Sequence, residues 1–188
     1  MGLAAAPAQA QNLVTNPGFE TGDFSGWTTT PATGGSDFAV AGGVYANSGS
    51  YGARFGATGT QDDSISQFIP TVAGDDYAVS FSLENLSGPS NDFTASFGGA
   101  PLLSITDSAS FPYTQYSFTA TATGASTLLA FAGRQVPSFF ALDDVSVIDL
   151  GAAPVPEAST TVSLGLLLAL GMGGLVVAAK RRKSAPSL

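Results

Sequence analysis

Cysteine and histidine are both missing from the 188 residues. Without cysteine there is no disulfide, zinc–thiolate site, iron–sulfur cluster or thiol nucleophile. Without histidine there is no Ser–His–Asp triad, imidazole base or His-ligated metal. Any bound metal must be held by oxygen, which favours calcium or magnesium. The lack of cysteine does not settle the compartment. Positive charge is nearly as scarce. Of six Lys and Arg residues, four form the cluster Lys180, Arg181, Arg182 and Lys183. Residues 11–150 carry 13 carboxylates against only Arg54 and Arg134, a net charge of −11. Such a surface repels phosphates, so no nucleic-acid role is expected. It attracts divalent cations and keeps the chain soluble.

The chain has one long hydrophobic run. Ala158 to Ala179 is 22 residues without a charge. As a helix it would span about 33 Å, against a bilayer core of about 30 Å. Its glycines would weaken a soluble helix but are tolerated in lipid. The basic cluster follows at once, so the positive-inside rule keeps residues 180–188 cytoplasmic and the body on the other side. Near the N-terminus, Ala8 and Ala10 have the A-x-A spacing of a signal-peptidase site, but Met1-Gly2-Leu3 provides neither a basic region nor an apolar stretch. Residues 1–11 thus read as the remnant of a signal peptide.

Residues 12–150 lack a convincing amphipathic helix. Short alternating runs recur, separated by Gly, Pro, Asn and Asp. They include residues 64–69, 77–83, 93–97, 116–120, 128–131 and 139–148. The expected fold is all-β, an antiparallel jelly-roll sandwich of about nine or ten strands, followed by one C-terminal transmembrane helix over 158–179. Residues 151–157 read as linker and motif.

Val155-Pro156-Glu157, the apolar helix and the Arg-rich end, in that order, resemble the PEP-CTERM sorting signal. Ala158 stands where that family usually has a second Pro. The resemblance implies recognition by an exosortase, a membrane protease, with transient anchoring in the inner membrane. Removal of the tail would then leave the protein at the cell surface or outside, in a bacterium that makes exopolysaccharide.

The body carries a second resemblance. Asn16-Pro17-Gly18-Phe19-Glu20-Thr21-Gly22 with Gly26-Trp27, and Leu142-Asp143-Asp144-Val145-Ser146-Val147, are similar to the opening and closing strands of jelly-roll carbohydrate-binding and galactose-binding-like domains. In those families the first and last strands share a structural calcium, which implies Glu20, Asp143 and Asp144 as metal ligands. Simple alternation places Asp143 on the face of Ala141, Val145 and Val147, an inward carboxylate in need of a partner. Asp62-Asp63 and Asp75-Asp76 read as turn residues. Trp27 reads as core, with sugar stacking as the other option. Tyr45, Tyr51 and Tyr113 are weak candidates for a binding surface. Asn85-Leu86-Ser87 matches a glycosylation sequon, which arises easily by chance.

Two function classes stay open. One is a non-catalytic surface or matrix protein, which in one form binds exopolysaccharide. The other is a small glycan hydrolase using two carboxylates. Small size, missing histidine and the lack of any motif with catalytic spacing favour the first.

Overall fold

A computed structural model describes residues 11–153. The transmembrane segment 158–179, the sorting motif Val155–Glu157, the basic cluster 180–183 and the A-x-A site all lie outside the described residues.

Ten strands form two five-stranded sheets, and no α-helix occurs among the described residues. The first sheet has the order β1 (Thr28–Thr30), β4 (Asp63–Pro70), β9 (Ser126–Gln135), β6 (Asn91–Phe97), β7 (Ala100–Thr106). The second has the order β2 (Ala39–Ala41), β3 (Gly52–Phe55), β10 (Phe140–Ala152), β5 (Asp75–Asn85), β8 (Phe111–Thr121). Every neighbouring pair is antiparallel. This is the expected jelly-roll sandwich.

Alternation explains the core. Tyr77, Val79, Phe81 and Leu83 of β5 are fully buried, and so are Ile65 and Ile69 of β4 and Leu129 and Phe131 of β9. Phe131 joins the two sheets: its ring lies 5.1 Å from Phe81, 6.1 Å from Trp27 and 6.3 Å from Phe93. Trp27 also stacks on Phe19 at 5.7 Å, so the only Trp is core. Both sheets and the core cluster close within residues 11–153, so this part carries the complete hydrophobic core that lets a domain fold alone.

Several expectations need correction. Residues 16–22 are turns, not a strand; Asn16 and Phe19 have φ of 51° and 58°. The N-terminal stretch still lies beside β10, through an Asn12–Ile148 bridge and the Leu13 N–H on Val147 O. β10 runs on to Ala152, so it absorbs the start of the expected linker. The alternation argument for Asp143 also fails. A bulge between Asp143 and Ser146, with Asp144 at φ 51°, shifts the phase of the strand. Phe140 and Leu142 before it and Val145 and Val147 after it join the core cluster, which leaves Ala141 and Asp143 on the outer face. Asp63 is not a turn residue. It opens β4 and is fully buried, accepting from Ala32 N–H, Ser36 Oγ and Gly56 N–H at 2.9, 2.5 and 3.2 Å. Asp75 and Asp76 likewise open β5.

Candidate functional site

The three acids singled out by sequence converge on one segment, residues 47–51. Asp143 Oδ2 accepts the backbone N–H groups of Asn47 and Ser48 at 2.8 and 3.0 Å, and its Oδ1 accepts that of Asp144 at 2.7 Å. Asp144 accepts the Asn47 side-chain amide at 2.6 Å and the Ser48 hydroxyl at 2.5 Å. Glu20 accepts Ser50 N–H at 2.9 Å and Tyr51 N–H at 3.1 Å. Asp143 is completely buried beneath this segment, and burial pushes its pKa up to about 6 despite the amide donors. Gly49 sits at φ 62°, where a Cβ would run into the Glu20 carboxylate.

The donor chemistry suits a hard cation in part. Neither guanidinium reaches these acids: Arg54 pairs with Asp37, and Arg134 with Asp62 and Asp92. Gly18 separates Asp143 Oδ1 from Glu20 Cγ, 3.4 and 3.7 Å from where its own Cβ would stand. Yet among the described residues no three His, Cys, Asp or Glu side chains form a group that could hold a metal ion. The oxygens named above are already engaged by N–H and O–H donors. As arranged, hydrogen bonds close this clasp.

A surface that sequence reasoning missed lies on the outer face of the first sheet. Ile65, Gln67 and Ile69 of β4 point inward, so Phe68 points out and is 70% exposed. It pairs with Leu128 of β9. Along β9 the outward positions continue through Ala130 and Ala132 to Arg134. Beside them stand Ser64 and Ser66 of β4, and Thr94 and Ser96 of β6. The face is thus a lane of small side chains with an exposed ring at one end. At the other end Arg134 bridges Asp92 and Asp62, the latter at 3.4 Å. Six residues of strand separate the ends, about 20 Å. The pKa of Asp62 is pushed up to about 6, chiefly by burial, then by its hydrogen bond to Asp92 and that neighbour's charge; Arg134 opposes the shift.

Glycosidase carboxylates stand about 5–9.5 Å apart on either side of the scissile bond. Asp62 and Asp92 instead converge on the one Arg134 guanidinium, Asp62 Oδ1 at 3.4 Å from its Nε.

A cavity of about 240 Å³ opens at one edge of the second sheet, lined by Glu84, Asn85, Leu86, Ser110, Phe111 and Pro112. The Asn85 side chain, 1% exposed, is held by Ser108 and Ala109, so the sequon offers no accessible acceptor. Nearby, Tyr113 donates to Tyr45 O at 2.6 Å. The Tyr45 and Phe139 rings meet edge to face at 5.4 Å, and the Arg54 guanidinium lies over both. Tyr51 is 38% exposed beside the clasp.

No protein-family model matches the chain, and no curated protein sequence does. Solved structures do. The chain is similar to a family 61 carbohydrate-binding module solved with β-1,4-galactotriose: TM-score 0.56, 20% identity, over 74% of this chain and 99% of that one. It is similar to the family 22 xylan-binding domain of a Paenibacillus barcinonensis protein: TM-score 0.53, 17% identity, 79% of this chain and 100% of that one. It also matches the enzymatically active domain of a bacteriophage CBA120 tailspike protein, with TM-score 0.60 and 13% identity, covering 74% of this chain but 21% of that one. The fold is the jelly roll of carbohydrate-binding modules.

Proposed function

We propose that the chain is an exported, non-catalytic glycan-binding protein whose C-terminal tail directs its sorting. The exposed Phe68 ring at the head of a lane of small polar residues carries this reading. An exposed aromatic face packs against the C–H faces of a sugar, while hydroxyls and charged groups along the lane orient the chain. Two whole modules of the same fold, one solved with a galactotriose and one xylan-binding, support neutral polysaccharides as the ligand class. The cell's own exopolysaccharide is the partner this proposal favours.

The sorting half rests on residues 155–183. Val155, Pro156 and Glu157 would be recognised by an exosortase, with 158–179 in the inner membrane and Lys180–Lys183 as the stop-transfer cluster. The mature protein would then sit at the surface or outside the cell. A structural calcium between Glu20 and Asp143, near Asp144, belongs to the same proposal; it would replace amide donors on those carboxylates.

A panel of soluble polysaccharides tests the function. Retardation of the protein in gels containing a neutral polysaccharide, with no new reducing ends, is the expected result. Release of reducing ends would restore the hydrolase, and no binding to any member would refute the proposal.

A further inference from the structure

Among the described residues the two sheets end in four edge strands: β1 and β7 in the first, β2 and β8 in the second. An edge strand leaves half of its N–H and C=O groups unpaired, and proteins blunt such edges with shortness, proline, bulges or charge. β1 and β2 have three residues each. β7 has seven, with Pro101 near its start and a register shift in the β6–β7 ladder beside that proline. β8 is blunted only at its beginning, by Pro112. Beyond it, residues 114–121 pair without a break against residues 83–76 of β5. β8 holds no charged residue, and neither does any position from 108 to 133, in a domain of net charge −11.

The free groups of β8 follow from the phase of its ladder. Ala122 donates its N–H to Asp75 O at 2.9 Å. Directly opposed antiparallel residues exchange both backbone bonds at every second position. In this phase Ala120, Phe118 and Tyr116 bond to β5. Gln115, Ser117, Thr119 and Thr121 turn their N–H and C=O groups away from the sheet. The side chains of these four are exposed and uncharged. Tyr116 and Phe118 point the other way, half-buried, with rings stacked on Phe81 at 5.7 and 6.1 Å.

We infer that β8 pairs antiparallel with β8 of a second copy of this chain, about a two-fold axis at Phe118. Such a contact is isologous, the same strand serving on both sides. Ser117 then stands opposite Thr119 of the other copy, and Gln115 opposite Thr121, so the odd-numbered residues satisfy one another's backbone groups. On the outer face these are pairs of hydroxyl and amide side chains, and on the inner face Phe118 meets its own copy. No carboxylate faces another. The nearest on β5, Asp76, lies beside Thr121 at one end of the contact. The copy's Asp76 lies at the opposite end, six residues of strand or about 20 Å away. Two domains this acidic repel each other over most of their surface, and an uncharged edge is where they can approach. One strand on each side is less than the 20–30 residues of a standard interface, so the dimer is weak and depends on concentration. The Phe68 lane belongs to the other sheet and takes no part in the pairing.

Sedimentation equilibrium of residues 11–153 tests the inference. A monomer–dimer equilibrium is expected between about 10 μM and about 1 mM. At the upper concentration the amides of Gln115, Ser117, Thr119 and Thr121 should gain protection from hydrogen exchange, while those of Tyr116, Phe118 and Ala120 stay as they are. Ser117→Lys with Thr119→Lys sets Lys opposite Lys in both central pairs and should weaken association about tenfold. It also lowers the net negative charge, which by itself would favour association, so a loss reports the pairing. Ser117→Lys with Thr119→Glu sets opposite charges in the same pairs and should restore the dimer. Both positions are exposed, and unchanged melting temperatures in dilute solution would show that the variants fold. A wild-type monomer at 1 mM would overturn the inference. So would a Lys–Lys variant that dimerises like the wild type, or a Lys–Glu variant as weak as the Lys–Lys one. Open-ended assembly in place of a dimer, or protection gained on β7 instead, would overturn it too.

Discussion

Asp143 Oδ2 accepts the backbone N–H of Asn47 at 2.8 Å across 96 residues of chain. With Ser48 N–H on the same oxygen, it ties the last strand to the segment that precedes β3. Glu20 does the same from the N-terminal turns. The clasp holds three distant parts of the chain together where β10 bulges.

Asp143→Ala should therefore be costly. It orphans the N–H groups of Asn47, Ser48 and Asp144, and bonds to a charged acceptor contribute about 1.5–3 kcal/mol each. Some of these amides will find water, so a loss of about 3 kcal/mol is expected in urea unfolding of residues 11–153. Chelator and calcium form the second arm. A bound ion at 100 times its dissociation constant adds about 2.7 kcal/mol and raises the melting temperature by several degrees. An unchanged melting temperature would assign the clasp to hydrogen bonds alone.

Phe131→Ala should cost about 4 kcal/mol, the usual loss for a buried phenylalanine. The cavity would lie among Phe81, Phe93 and Trp27, on both sheets, and could not close by moving one of them. Denaturant midpoints with an unchanged slope would check it.

Asp62 gives a pH dependence of definite sign. Its carboxyl is raised from 3.8 to about 6 in the folded chain. Between those values the folded state binds more protons than the unfolded state. The stabilisation is complete below the unfolded value and disappears as pH rises through the folded one. Asp62→Asn removes this titration. The melting temperature of the wild type relative to Asp62→Asn should fall from pH 4 to about pH 7 and level off above.

Pro156→Ala with Glu157→Ala should leave the full-length chain in the membrane. Mass spectrometry of the extracellular fraction is the check, and normal release of a tail-less form would contradict exosortase sorting. Replacing Lys180–Lys183 by Ser should impair membrane retention or orientation before processing.

Much of the sandwich was legible because alternating strands carry a period of two. Tyr77, Val79, Phe81 and Leu83 announced β5, and the runs around Phe93, Phe118 and Phe131 announced three more strands. β7 was not, since Ala100-Pro101 follows Gly98-Gly99 and reads as a continuing turn. It survives with a Pro because it lies at the edge of its sheet. Asp143 was legible as a buried carboxylate but on the wrong face, because the bulge at Asp144 breaks the phase and local sequence does not mark it. Phe68 was hidden for a similar reason. In Gln67-Phe68-Ile69 the apolar pair leaves the phase open, and intuition buries Phe rather than Gln. The fold buries Gln67 instead, with its amide on Thr15 and Gly26 carbonyls at 3.1 and 2.8 Å and its oxygen on the Thr15 N–H at 2.8 Å.

That exposed ring is the most direct point of attack on the glycan-binding claim. Affinity electrophoresis or calorimetry should compare residues 11–153 with Phe68→Ala on the neutral polysaccharide that binds best. Phe68 packs against solvent rather than core, so the variant should keep its melting temperature. It should lose up to about tenfold in affinity, as an aromatic contact contributes about 0.5–1.5 kcal/mol and about 1.4 kcal/mol is tenfold. Undiminished binding by a folded Phe68→Ala protein would contradict the account.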